Sequence, residues 1–333
     1  GRVINQLIKS VRWTVSESRR PVVNPSQVLA QVLRLYLEIV CEFNPATAGT
    51  IRSESEPMLP CCAPRTSPGA AGAAIHDTDI EVLNVRSQRA EIASVIGRAF
   101  AGTANADPER GTSWILGPQL PLGDPRRVEF VTFFTDIPVI QHGHPRRGIV
   151  LATRDAQSKV DAVVIARRFD SAPGADVWAF STAFVTMMAG AMLPCYDGAL
   201  PTVFADSKMR AQMGNAILKR ADLGFRPMLE ETHKEWADMP HWYVSCVAVD
   251  PSAQGKGKCG TLMRAVFRMA DAEGVPIYHE CSGTRNRDMY AHFGYEQKAQ
   301  YTLRVEDDEP GSAPFAEYFA MVRPAATHAM GQE

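Results

Sequence analysis

Between Trp242 and Glu273 the chain passes from β-formers through a glycine-rich loop into an amphipathic helix. Few folds accommodate that order. Trp242 to Asp250 (WYVSCVAVD) reads as a strand, and Pro251 closes it. Gln254, Gly255, Lys256, Gly257, Lys258, Cys259 and Gly260 follow. Thr261 to Glu273 is predicted helical, with Leu262, Val266 and Met269 or Ala270 repeating on one face. A strand, a glycine loop and a helix leave unpaired backbone N–H groups and a positive helix end pointing at one spot, which suits an anion. Glycine admits positive φ and lets a ligand approach the backbone closely. Lys256 and Lys258 add charge to that spot.

Three phosphate loops compete for this segment. A P-loop needs Gly-Lys followed by Ser or Thr, and no Gly-Lys here is. Gly255, Gly257 and Gly260 do have the G-x-G-x-x-G spacing of a dinucleotide site, and Glu280 lies at the distance of its ribose-binding acid. A tight turn without any ligand is the plain structural alternative. The string VAVDPSAQGKG resembles motif A of the GNAT N-acetyltransferases, whose loop reads Gln/Arg-x-x-Gly-x-Gly/Ala. Gln254 and Gly257 match its first two fixed positions, and Cys259 stands at the third. After the next strand (VPIYH, 275–279), residues 280–295 resemble motif B, with Asn286, Tyr290 and then Gly294-Tyr295. The likeness is closest to the branch that contains puromycin N-acetyltransferase. It is strong over 240–297 and extends over about 78–323, including Gln141 to His144, Val177-Trp178 and His241 to Tyr243.

The resemblance implies an α+β fold. A central, mostly antiparallel twisted sheet would splay at an acetyl-CoA site and be flanked by helices. Acetyl-CoA would be the cosubstrate. The backbone of Val247, Ala248 and Val249 would pair with its pantetheine arm and polarise the thioester. Residues Gln254, Gly255, Lys256, Gly257, Lys258, Cys259, Gly260 and Thr261 would hold its pyrophosphate, and Asn286 would bond the arm. Tyr290 occupies the general-acid position, where a phenol protonated at neutral pH can supply the departing sulfur. Glu280 is the first candidate for the general base, with Glu230, Glu231, His233 and His241 in reserve. The family varies over about 170–236. Here that stretch is apolar, with Phe180, Phe184, Met187, Met188 and Met192, so a small-molecule amine acceptor is expected. An acyl-CoA-binding module without turnover, invited by Cys259, and an acetyltransferase of protein N-termini or lysines are the alternatives.

Other classes fit poorly. The formal net charge of −2 gives no basic field for nucleic acid. The longest uncharged run, Val177 to Leu193, is at the short limit for a membrane span and carries Ser181, Thr182 and Thr186, so a buried segment is expected. His142 and His144 lie before Pro145 with no third ligand nearby, and none of the seven cysteines forms C-x-x-C, so no metal site is expected. The odd, scattered cysteines suit a reducing compartment and a cytoplasmic location. Residues 1–37 are basic and acid-poor, which fits a transit peptide and an organelle instead, or an unstructured extension. Val28 to Val40 has helical spacing, and 44–74 has linker composition. The division is therefore an extension over 1–75, a catalytic domain over 76–325 and a tail over 326–333. Within the domain a strand is expected at 79–85, helices at 87–101, 126–140 and 208–222, and a hairpin from 148–153 and 160–167.

Overall fold

The computed structural model describes residues 79–102, 110–136, 139, 148–170, 201–205, 208–209, 220, 224–304 and 316–326. The expectations for residues 1–75, for Gln141 to His144, for 177–193 and for most of 208–222 lie outside the described residues.

In chain order the elements are β1 (Glu81–Val82), α1 (Val85–Ala101), α2 (Arg110–Leu116), α3 (Pro125–Phe134), β2 (Gly148–Arg154), β3 (Val160–Phe169), α4 (Arg226–Trp236), β4 (His241–Val249), α5 (Lys258–Glu273), β5 (Ile277–Ser282), α6 (Thr284–His292), β6 (Glu296–Leu303) and β7 (Ala316–Arg323). The strands form one seven-stranded sheet in the order β1-β2-β3-β4-β5-β7-β6. Every pairing is antiparallel except β4 with β5. This is the mixed, mostly antiparallel sheet with flanking helices that the sequence implied.

Alternation along the strands assigns the helices to two faces. Val164, Ala166, Trp242, Val244, Phe319 and Met321 pack under α5 with Leu262, Val266 and Met269. Burying each large apolar side chain of that helix contributes about 1.5–3 kcal/mol. On the other face Val163, Ile165, Cys246 and Ala248 meet Ile92, Val95 and Ile96 of α1. Further along that face, Phe169, Tyr243, Tyr278 and Ala320 lie beneath α4.

Several boundaries differ from the sequence reading. The strand expected over 79–85 pairs at only two residues, because helix α1 begins at Val85. Asn84 rather than Ser87 starts it: the Asn84 carbonyl accepts from Ser87 and Gln88, and the Gln88 side chain returns to the Asn84 amide at 2.8 Å. Helix α3 stops at Phe134, short of Ile140, with Thr135 as its C-cap. Its start is capped by Asp124, which accepts from the Arg126 amide at 2.9 Å. Helix α2 was not legible, since RGTSWIL is too short to show a period. The hairpin 148–169 forms as expected, and Asp155 closes its turn by accepting from the Gln157 and Lys159 amides, both at 2.9 Å.

Candidate active site

The site begins where two strands part. β4 pairs with β5 at only Trp242–Ile277 and Tyr243–Tyr278, and the Trp242 amide donates to the Pro276 carbonyl at 3.0 Å. Beyond those pairs β4 stays with β3 as far as Val249, while β5 pairs with β7 over its whole length. A wedge-shaped gap therefore opens between 244–249 and 279–282.

A bulge decides what lines the gap. Ile165 faces Cys246 and Ala166 faces Val244, so Ser245 is the extra residue and the alternation reverses there. Trp242 turns its amide to β5, whereas Asp250 turns its amide to the Asp161 carbonyl on β3 at 2.8 Å. Counting back from Asp250, Ala248 and Cys246 also face β3, and the backbone of Val247 and Val249 faces the open side. Of the three residues expected on the pantetheine arm, Val247 and Val249 thus present backbone to the gap. Ala248 turns its backbone to β3 and its side chain into the α1 core.

At the wide end lies the glycine loop. Asp250 caps the turn Pro251–Ala253, accepting from the Ser252 amide at 3.0 Å and from Arg98 of α1 at 2.6 Å. Burial pushes the Asp250 carboxyl up, but bonds from Ser252 and Arg98 outweigh it and hold the pKa below its usual value. Gly255 and Gly257 adopt φ of +75° and +78°, and a Cβ at either would have nothing within 4 Å. Glycine is required there by backbone conformation, and the space beside each is open. Gly257 begins α5 without a side-chain cap, and the helical ladder opens with the Thr261 amide on the Gly257 carbonyl. The amides of Lys258, Cys259 and Gly260 precede that first helical bond, in the helix position that binds anions. The exposed Gln254 folds back onto the Val249 carbonyl at 3.3 Å.

The charged and sulfur-bearing members of the loop differ in role. Lys256 is exposed. Lys258 is tied into the structure by Asp161 at 3.2 Å and the Arg154 carbonyl at 3.1 Å. Cys259 packs against the core beneath α5, and burial pushes its thiol up to about 11. Its sulfur therefore faces inward, away from the amides. The observed open backbone, positive φ values and uncapped helix start fit a pyrophosphate.

Two side chains stand on opposite faces of the gap. Glu280, half-buried on β5 just past the last β4–β5 pair, lies on the α4 face. Tyr278 donates to its Oε1 at 2.8 Å, the Tyr243 hydroxyl bonds the same carboxylate, and Thr232 lies beside it with its hydroxyl proton donated to the Met228 carbonyl at 2.6 Å. Burial pushes the Glu280 pKa up to about 7 against the lowering effect of these bonds. Tyr290 of α6 lies on the α5 face, buried against His279, Tyr295 and Phe293. Burial, with nearby Cys259 and Cys281, raises its pKa well above 10, so the phenol stays protonated. No hydrogen bond among the described residues ends on its hydroxyl. Asn286 donates to the Ser282 carbonyl at 3.0 Å, joining the start of α6 to the end of β5.

The reserve bases fare differently. His241 donates from Nδ1 to the Met239 carbonyl at 2.7 Å, which leaves its Nε2 to accept from His233 Nε2 at 2.7 Å. Both rings are buried, and burial depresses both pKa values, that of His233 to about 3. They are a neutral packing pair under Phe169 rather than an exposed base. Glu231 is exposed, and the Glu230 side chain lies outside the described residues. The two tyrosines on Glu280 escaped the sequence reading. Tyr278 sits two residues before Glu280 on one strand, hence on the same face, and that spacing was the available signal.

Residues 224–295 match the family model described as Acetyltransferase (GNAT) family. An uncharacterised N-acetyltransferase of Schizosaccharomyces pombe is 37% identical over 90 residues, 26% of this chain and 36% of the relative. The chain thus matches only about a third of that relative's length. Solved structures similar to this chain include a Corynebacterium glutamicum protein described as histone acetyltransferase HPA2 and related acetyltransferase, at 18% identity and TM-score 0.40. That match covers 75% of this chain and 97% of the other. Arylalkylamine N-acetyltransferase 2 of Aedes aegypti gives 9% identity and TM-score 0.41, covering 74% and 97%. Naa20 of Chaetomium thermophilum gives 14% and 0.36, covering 74% and 86%. Among the described residues no helix is long and apolar enough to cross a membrane. Over residues 224–295 this chain is thus similar to the acetyltransferase (GNAT) family.

Proposed function

We propose that the protein is an acetyl-CoA-dependent N-acetyltransferase that transfers acetyl to a primary amine by direct attack in a ternary complex. The observation that carries this reading is the gap itself: β4 leaves β5 after two residue pairs, with an open glycine loop at its wide end. Amides of Lys258, Cys259 and Gly260 hold the pyrophosphate, and the open-side backbone of Val247 and Val249 holds the pantetheine arm. An N–H on that edge stabilises the oxyanion as the amine attacks the thioester carbonyl. Glu280 removes the proton from the incoming ammonium, a role suited to a carboxyl with a pKa of about 7. Tyr290 protonates the departing sulfur.

A small-molecule amine is the acceptor we favour, supported by the likeness to the puromycin branch and the apolar, Met-rich stretch after 170. Acetyl-CoA with a panel of arylalkylamines, polyamines, lysine peptides and free peptide N-termini tests it. Turnover of peptides alone would overturn the small-molecule reading. Tyr290→Phe should lower kcat by about a hundredfold or more and leave acetyl-CoA affinity unchanged. Wild-type protein that binds acetyl-CoA but acetylates nothing would instead be an acyl-CoA-binding module.

A further inference from the structure

The mechanism above gives Glu280 a role but does not use the two phenols that hold it. Tyr278 reaches Oε1 at 2.8 Å from its own strand. Tyr243 reaches the same carboxylate from β4, opposite Tyr278 in the last pair before the strands part. The two rings stack with centroids 6.0 Å apart at 24°, and His233 of α4 lies over both, at 4.9 and 4.7 Å. Both tyrosines are buried and cannot swing to solvent. The carboxylate is thus gripped from two strands at the point where they diverge.

We propose that Tyr243 and Tyr278 are positioning residues for Glu280, a pair of fixed donors that orient its carboxylate toward the incoming amine. The inference rests on Glu280 as the base. A carboxylate on a flexible stem loses rotamer freedom when it must meet a proton at one angle, and two donors from a rigid sheet supply that order in advance. A phenol donates more strongly to a carboxylate than to a neutral carboxyl, so the pair also favours the ionised state able to accept a proton. Thr232 of α4 lies beside the carboxyl, the neutral His233 ring covers the two phenol rings, and Arg167 of β3, paired with Tyr243, is the charged residue next to that cluster. β7 presents Ala320 opposite Glu280.

The test reads the carboxyl directly, independent of the acceptor. Protein labelled with [5-13C]glutamate is titrated by NMR, and the resonance absent from Glu280→Gln is assigned to Glu280. Its midpoint is expected near 7 in the wild type. In Tyr278→Phe and, separately, Tyr243→Phe it should move upward by about one pH unit, the size expected from losing one hydrogen bond to a charged group. The acid limb of kcat/KM should move with it, so activity at pH 7 falls several-fold and recovers at higher pH, with KM for acetyl-CoA unchanged. An unmoved midpoint in both variants, or a loss of kcat that no pH restores, would overturn the positioning role. If Glu280→Gln keeps full activity while the midpoints still move, Glu280 is not the base, and that reading fails instead. Two separate variants guard against one failing to fold, and thermal melts with acetyl-CoA identify any that does.

Discussion

Gly257 and Gly274 bracket helix α5 and make a matched pair of perturbations. Both are left-handed, at φ of +78° and +66°, and a Cβ at either would meet nothing within 4 Å. Substituting alanine therefore costs only backbone strain, about 1–2 kcal/mol at each site. For a domain of 150–250 residues each kilocalorie lowers Tm by about 2–4 °C, so both variants should melt about 2–8 °C early without ligand. They should differ once acetyl-CoA is present. At a hundredfold excess over Kd a ligand that binds only the folded state stabilises it by about 2.7 kcal/mol. Gly274 caps the end of the helix far from the loop and should keep that gain. At Gly257 the new methyl fills the open space beside the uncapped amides. A tenfold loss of affinity there would remove about 1.4 kcal/mol of the 2.7. Thermal melts across an acetyl-CoA series, checked by isothermal titration, separate the two contributions. If Gly257→Ala gains as much from acetyl-CoA as Gly274→Ala does, the loop is only a turn.

Two further predictions concern buried charge. His279 is buried with both ring nitrogens unpartnered among the described residues, and burial depresses its pKa to about 3. Between 6.5 and about 3 the unfolded chain binds a proton that the native state refuses, so stability falls as pH drops, by up to about 1.4 kcal/mol per pH unit. His233 adds to the same slope. His279→Leu, close in volume and without orphaned polar atoms, should raise Tm at neutral pH and flatten the acid-side decline. A steeper decline would show that the ring is paired in solution. Asp250→Asn keeps the turn cap but discharges the partner of Arg98. Because the folded Asp250 pKa is depressed, the wild-type advantage should be full above the unfolded value near ~3.9 and fade as pH falls through the folded one. A pH series of urea melts should show that narrowing gap, and a constant gap would rule the charge out as its cause.

Backbone-built parts of the site were legible, because glycine spacing and a proline-ended strand are local signals. Gly255, Gly257 and the helix from Lys258 could be placed from their neighbours alone, although the helix starts three residues before the apolar period suggested. Strand order, and hence the parting of β4 from β5, came only through family likeness. No local pattern says that β5 will prefer β7. The Ser245 bulge gives one polar letter within WYVSCVAVD, and its effect on which amides face the gap needs the register with β3. The fates of Lys258, Cys259 and His233 were equally hidden. Each depends on a partner distant in sequence or on packing: Asp161 for the lysine, the core under α5 for the thiol, His241 and Phe169 for the imidazole.

The geometry also explains why one group cannot serve both proton transfers in the proposed reaction. Glu280 faces α4 because it shares parity with Tyr278, whereas His279 and Cys281 face α5, where Tyr290 packs. Nitrogen and sulfur share one carbon in the gap between β4 and β5, and the amine's proton leaves toward one face while the sulfur gains its proton from the other. The two sites also differ chemically in the direction each step requires. The carboxyl is poised near neutrality, and the phenol is held firmly protonated. A base on the α5 face would have to ionise beside Tyr290 in an apolar, cysteine-lined core, which burial opposes. An acid on the α4 face would compete with Tyr243 and Tyr278 for the same carboxylate. The bulge, the parting strands and the alternation of β5 thus assign each proton to its own side of the sheet.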